Sequence, residues 1–150
     1  MQSKLQTVGW REWVALPELG ILAIKAKVDT GARTTALHAY DFEEVVDNGT
    51  RCLRFKTHPL QRGGDVVVCQ AEVVDKRVVS DSGGHRERRW VILSELRMGE
   101  LSWPVEITLT SRKDMRFRML IGRTALNHRA LVDPSRSYVV GKRPRKRRTP

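Results

Sequence analysis

The run "ILAIKAKVDTGARTTALHA", residues 21–39, delivers one acid, Asp29, into the tripeptide Asp29-Thr30-Gly31. A carboxylate at the end of a strand-like apolar segment stands where functional loops project from a sheet, which makes Asp29 a candidate acid–base group. The plain alternative is an Asx turn: the aspartate hydrogen-bonds backbone two residues on, and the glycine takes a positive φ. The tripeptide alone decides little, so context has to. Far along the chain, "FRMLIGRTAL" sets the apolar pair Leu120-Ile121 and Gly122 before Arg123, again where a strand gives way to a helix. Other acids are weaker candidates. Asp81 lies in the glycine-rich tip "SDSGGH", and Asp114 and Asp133 lie near turns, where capping or an Asx turn explains them.

The elements that must position Asp29 read as strands. Turn signals recur at short spacing: "PELG" at 17, "DNGT" at 47, "RGGD" at 62, "DSGG" at 81, "RMGE" at 97 and "VDPS" at 132. Between them, "VVVCQAEVVDKRVVS", "RRWVILSELRM" and "LSWPVEITLTS" are rich in β-branched residues and read as three strands joined by hairpins. Asn48-Gly49 supplies another hairpin, between "EEVV" and "RCLRFKT". Only residues 122–131 have helical spacing, with Ala125 and Leu126 one turn before Arg129 and Ala130. The expected fold is mainly β, a closed or nearly closed barrel with one short C-terminal helix.

Asp-Thr-Gly-Ala at 29–32, the hairpin tip at 80–85 and Leu120-Ile121-Gly122-Arg123 before the helix resemble the retropepsin-like aspartic proteases. The resemblance implies a single half-domain of the acid protease fold. It also implies that the apolar-apolar-Gly segment threads behind the Asp loop, and that the glycine-rich hairpin is a flap over substrate. A closer likeness spans nearly all of the chain except the basic tail. "KVDTGARTTALHA", "RVVSDSGGHRERRWVI", "WPVEITLTSRKDMRFRMLIGRTAL" and "LVDPSRSYVV" look like the bacterial family labelled ATP-dependent zinc protease, whose RimB members are associated with RimK-type glutamate ligases. This resemblance implies a peptidase acting on glutamate tails that the ligase adds to the C-terminus of a ribosomal protein. The label and the residues disagree: there is no His-Glu-x-x-His cluster and no Gly-x-x-x-x-Gly-Lys-Ser/Thr loop, and His38, His58, His85 and His128 fall in separate elements. No metal ligand set and no cofactor is expected.

Aspartic proteolysis needs two carboxylates sharing one proton, and one Asp-Thr-Gly motif supplies one of them. The consequence is a homodimer with Asp29 of each copy meeting at a two-fold axis. By the resemblance, Thr30 braces the opposite copy, Gly31 lets backbone approach the carboxylates, and Ala32, Ser82, Gly83 and Gly84 border the substrate. Viral retropepsins usually place an acid four residues after the catalytic Asp, paired with the Arg of the apolar-apolar-Gly-Arg segment. Here Arg33 replaces that acid while Arg123 remains. Two guanidiniums near one cleft repel unless an incoming glutamate joins them, so Arg33 and Arg123 are expected to bind acidic side chains. His85, Arg86, Arg88, Arg89, Arg116 and Arg118 flank the flap and late strands; of these, His85, Arg88, Arg116 and Arg118 are carried as further substrate contacts, with a solvated face as the alternative for each.

Composition sets the outer bounds. With 150 residues and 40% hydrophobic content, one domain over 1–140 is expected, with a basic tail at 141–150 after it. The formal charge is +11, and "KRPRKRR" at 142–148 holds six basic residues and no acid. Such a run is expected to be disordered, and either contacts rRNA or another polyanion or serves as a solvated terminus. No apolar stretch has the length of a membrane span and no signal-peptide core is visible, so a cytoplasmic protein without membrane contact is expected. Cys52 and Cys69 read as buried free thiols, and Trp10, Trp13, Trp90 and Trp103 as core or dimer contacts. A second reading competes with the peptidase: a catalytically silent barrel that binds acidic peptide, ribosome or rRNA through the same basic surfaces.

Overall fold

The computed structural model describes residues 5–60, 65–80, 83–111 and 116–142. The elements run β1 (Gln6–Val8), β2 (Arg11–Leu16), a 3-10 turn (Pro17–Leu19), β3 (Ile21–Val28), β4 (Thr35–His38), β5 (Tyr40–Asp47) and β6 (Thr50–Thr57). They continue with β7 (Val67–Ser80), β8 (Arg86–Met98), β9 (Leu101–Thr110), β10 (Met119–Ile121), α1 (Arg123–Leu126) and β11 (Ala130–Val132). The fold is mainly β with one short helix, as the residue pattern implies.

Period-2 alternation closes these strands on a single core. In β2 the inward positions are Glu12, Val14 and Leu16, all buried, with half-buried residues between them. The sheet runs β2-β3-β10-β4-β9-β8-β7-β6-β5. Ala15 of β2 also pairs with Arg97 of β8, which joins the ends of β2-β3-β10-β4-β9-β8 into a closed six-stranded barrel. Ile24, Phe55, Ile92, Leu96, Ile107, Leu109 and Met119 fill the interior without solvent exposure beyond a trace. Each contributes about 1.5–3 kcal/mol of burial. Closure removes the edges that a six-stranded open sheet would leave to solvent.

Two local signals behave as their chemistry dictates. Asn48 (φ 50°) and Gly49 (φ 78°) both take left-handed backbone, the type I′ pattern that matches strand twist, and join β5 to β6. Gly99 (φ 62°) turns β8 into β9. The helix expected over 122–131 is shorter than its spacing suggests. It ends at Leu126, His128 takes φ 65°, and Ala130–Val132 becomes a strand parallel to β1. A four-residue helix has little stability of its own, so pairing with β1 decides the conformation of residues 130–132. The tryptophans also divide: Trp103 is buried in the core, whereas Trp10, Trp13 and Trp90 are half-buried beneath Arg11, Lys25, Lys76 and Arg51.

The chain returns along β1 and β2 after β11. Trp10 N–H donates to Arg136 O, Tyr138 N–H to Arg11 O and Asp133 N–H to Val8 O. Glu12, fully buried, accepts N–H bonds from Gly9 (2.6 Å), Val139 (2.9 Å) and Val140 (3.2 Å). A buried carboxylate is tolerable only when so satisfied, and here it ties the 133–140 segment to the barrel. Ser82, Asp81, Asp114 and the basic residues from 143 on lie outside the described residues.

Candidate active site

The Asp29 loop links β3 to β4, and the strand that holds it arrives from the other end of the chain. β10 lies between these two strands, parallel to β3 (Ile121 opposite Val28) and antiparallel to β4 (Leu120 opposite Ala36). Asp29 N–H donates to Ile121 O at 2.9 Å, Arg123 N–H to Ala32 O at 2.8 Å and Thr124 N–H to Arg33 O at 3.2 Å. Thr124 Oγ1 donates to the same Arg33 carbonyl at 2.8 Å. Gly122 N–H donates to the buried Thr35 Oγ1 at 3.1 Å. A Cβ on Gly122 would lie 2.5 Å from the carbonyl of Thr34, so only glycine permits this crossing.

Within the loop, Asp29 Oδ1 accepts the Gly31 N–H at 2.9 Å, so the Asx turn is present. Gly31 does not take the positive φ expected of it in that turn. Its constraint is proximity: a Cβ there would stand 3.2 Å from Asp29 Oδ1. The turn and the acid–base role are therefore compatible, because the same N–H that closes the turn orients the carboxylate. Thr30 is exposed beside it.

Asp29 opens onto a cavity of about 1100 Å³. Its floor is Gly31, Ala32, Arg33, Thr34, Arg123 and Thr124, and one wall is Arg77, Val78, Val79 and Ser80 of β7 with Arg89 of β8. Among the described residues, four arginines (33, 77, 89, 123) line it against two acids, Asp29 and Glu106. Arg123 Nη1 donates to the carbonyls of Thr30 and Gly31, both at 3.3 Å, so backbone dipoles rather than an acid hold it. Arg33 enters no ion pair among the described residues. Arg77 pairs with Glu106 at 2.8 Å and Asp75 at 2.7 Å, and these two bonds raise its pKa above the ordinary guanidinium value. The Arg77 hydrogen bond, with the Lys76 N–H, holds the Asp75 carboxyl below the usual range.

Of the residues expected at the site, Asp29, Gly31, Ala32, Arg33 and Arg123 come together on this cavity. Gly83, Gly84, His85, Arg88, Arg116 and Arg118 are not among its lining residues. Arg88 pairs with Val78 and points to the sheet face opposite that of its neighbour Arg89. Arg77 and Glu106 join the site without a motif to mark them. A usable signal does exist in the chain: counting outward from the Ser80–Arg86 pair, on either side of the Asp-Ser-Gly-Gly stretch, pairs 77 with 89. Two of the histidines flank one ring: His38, buried on β4, lies 6.1 Å from Tyr40, and His58 stacks on Tyr40 at 5.5 Å and shares a hydrogen bond of 2.8 Å with its Oη. Among the described residues no three His, Cys, Asp or Glu side chains gather closely enough to hold a metal ion.

A closed barrel whose Asp-Thr-Gly loop is pinned by a threading apolar-apolar-Gly strand defines the retropepsin-like class. The chain belongs to the RimB-like family, described as retropepsin-like aspartic endopeptidase RimB, whose model matches residues 7–143. It is 42% identical over 137 residues to a probable alpha-L-glutamate ligase of Shewanella pealeana, covering 91% of this chain and 30% of that protein. A probable alpha-L-glutamate ligase of Parasynechococcus marenigrum is 45% identical over 135 residues, covering 89% of this chain and 29% of that one. The chain thus spans under a third of the length of these curated relatives. A crystal structure of a Legionella pneumophila protein of unknown function superimposes with a TM-score of 0.77 at 27% identity, covering 91% of this chain and 99% of that one. No helix among the described residues is long and apolar enough to cross a membrane.

Proposed function

We propose that two copies of the chain meet with their Asp29 loops apposed and act as an aspartic peptidase. Its substrates are glutamate-rich C-terminal tails, those that a RimK-type ligase adds to a ribosomal protein. The observation that carries this reading is the position of Asp29 on a cavity lined by four arginines against two acids. An anionic peptide gains there what a neutral one does not. One ionised Asp29 takes a proton from water as the water attacks the peptide carbonyl. Its protonated mate hydrogen-bonds the carbonyl oxygen and then helps protonate the departing amine. The Gly31 N–H on Oδ1 supports the orientation this requires. The relatives named as glutamate ligases support the link to tail synthesis, since a segment like this chain forms part of each.

The test compares wild type with Asp29→Asn on a peptide ending in several glutamates, with a chelator arm in parallel. Wild type is expected to cleave with and without chelator, and Asp29→Asn to lose roughly 10³-fold or more in kcat/KM. Loss of wild-type cleavage on chelation would return the reaction to zinc. Binding without cleavage by either protein would leave an acidic-peptide binder.

A further inference from the structure

Arg77 and Arg89 stand directly opposite each other on β7 and β8, two like charges in register on one sheet face. Such a cross-strand pair is destabilising unless something compensates. The protein compensates asymmetrically. Arg77 has two carboxylates, Asp75 and Glu106, whereas Arg89, only 7% exposed, spends its Nε on Glu87 at 3.1 Å. Glu87 in turn accepts a hydrogen bond from Thr110 Oγ1 at 3.2 Å. Arg77, Arg89, Glu106 and Thr110 line the same cavity as Asp29. A guanidinium this deep is costly to desolvate, and among the described residues the bond that holds it to an acid runs from its Nε, on the side away from the two Nη groups of the fork.

We infer that the Arg77–Arg89 pair is the carboxylate-recognising subsite of this cavity: Arg89 anchors an acidic side chain of the bound peptide, and Glu106 occupies Arg77 until a second acidic side chain displaces it. The inference rests on the proposed acidic-peptide substrate and deepens it. Glu87 and Thr110 are positioning residues that hold Arg89's fork at a fixed angle. A carboxylate that meets a preoriented fork gains two parallel charge-assisted bonds without ordering a long side chain. Glu106 then works as an internal stand-in for substrate, so its removal tightens binding. Arg88, one residue away on the opposite face, takes no part.

Binding to the full chain carrying Asp29→Asn separates recognition from cleavage. Fluorescence anisotropy is read with a labelled peptide ending in six glutamates and with its six-glutamine counterpart. Adding Arg89→Met is expected to weaken the glutamate peptide roughly 10- to 100-fold, to leave the glutamine peptide unchanged, and to flatten the salt dependence. Arg89→Lys keeps charge but not the fork, and restores part of the loss. Glu106→Gln tightens the glutamate peptide several-fold, and Arg88→Met leaves both unchanged. Unaltered glutamate binding by a folded Arg89→Met protein overturns the inference. Should that variant fail to fold, Arg77→Met and Glu106→Gln decide: loss and gain respectively support the subsite, and no change in either overturns it. Arginine-dependent binding without wild-type cleavage would defeat the peptidase reading and leave the subsite standing; cleavage indifferent to both arginines would do the reverse.

Discussion

Asp29 and Gly31 form one unit in which a single N–H both closes a turn and aims a carboxylate. At the same scale, the cysteines show what burial does to chemistry. Cys69 donates its S–H to Leu19 O at 3.4 Å, and burial pushes its thiol from an ordinary 9.0 up to about 11. The raised value favours the neutral form in the folded state. Its contribution to stability is therefore intact below pH 9 and is lost as the pH climbs through 9 to 11, where the unfolded thiol ionises first. The expected outcome is that iodoacetamide leaves Cys69 unmodified at about pH 8 in the folded protein and alkylates it in denaturant, as read by mass spectrometry.

At the scale of elements, β10 matters out of proportion to its three residues. It fills the space between the strands on either side of the Asp29 loop; one backbone hydrogen bond, from Asp29 N–H to Ile121 O, ties it to that loop, and two more come from Arg123 and Thr124 at the start of α1. Gly122→Ala sets a methyl group against the Thr34 carbonyl at 2.5 Å. It is expected to cost about 1–3 kcal/mol in thermal melts and to abolish cleavage by shifting the loop. The loss of activity should exceed what the unfolded fraction explains, and faster amide exchange at Asp29 and Arg123 would trace it to the released crossing. The β7–β8 hairpin is the second such element. Its outer face carries Lys76 over Trp90 at 4.3 Å, and its other face carries the two opposed arginines.

At the scale of the whole molecule, one barrel contributes one Asp29, and the proposed chemistry needs two. Mixing tests this directly. If copies exchange between dimers, equal amounts of wild type and Asp29→Asn leave about a quarter of dimers with both carboxylates. Total activity should then fall to about half of what the wild type alone delivers, where independent monomers would leave it unchanged. A size-exclusion profile that stays monomeric at concentrations giving full activity would sink the shared site. The relatives named as glutamate ligases are about three times longer than the matching segment, so the same measurement on one of them would show whether the arrangement survives in a longer chain.

The features legible in the sequence are those whose chemistry is local. Asn48-Gly49 dictates its turn because two left-handed residues are needed there, and the β-branched runs of β7, β8 and β9 declare their strands within a residue or two. The order of Asp-Thr-Gly-Ala, the glycine-rich tip and Leu-Ile-Gly-Arg likewise points to the class from the residues alone. What only the tertiary structure decided depends on register and on partners distant in the chain. A shift of one residue in a strand turns a side chain to the opposite face, so Arg89 rather than Arg88 lines the Asp29 cavity, and Arg77 joins it only through the pairing of β7 with β8. The helix beginning at 123 yields to a strand because β1, more than a hundred residues earlier, offers it hydrogen bonds. Glu12 is buried because the returning 133–140 segment brings Val139 and Val140 amides to it, a contact with no mark in the residues around it.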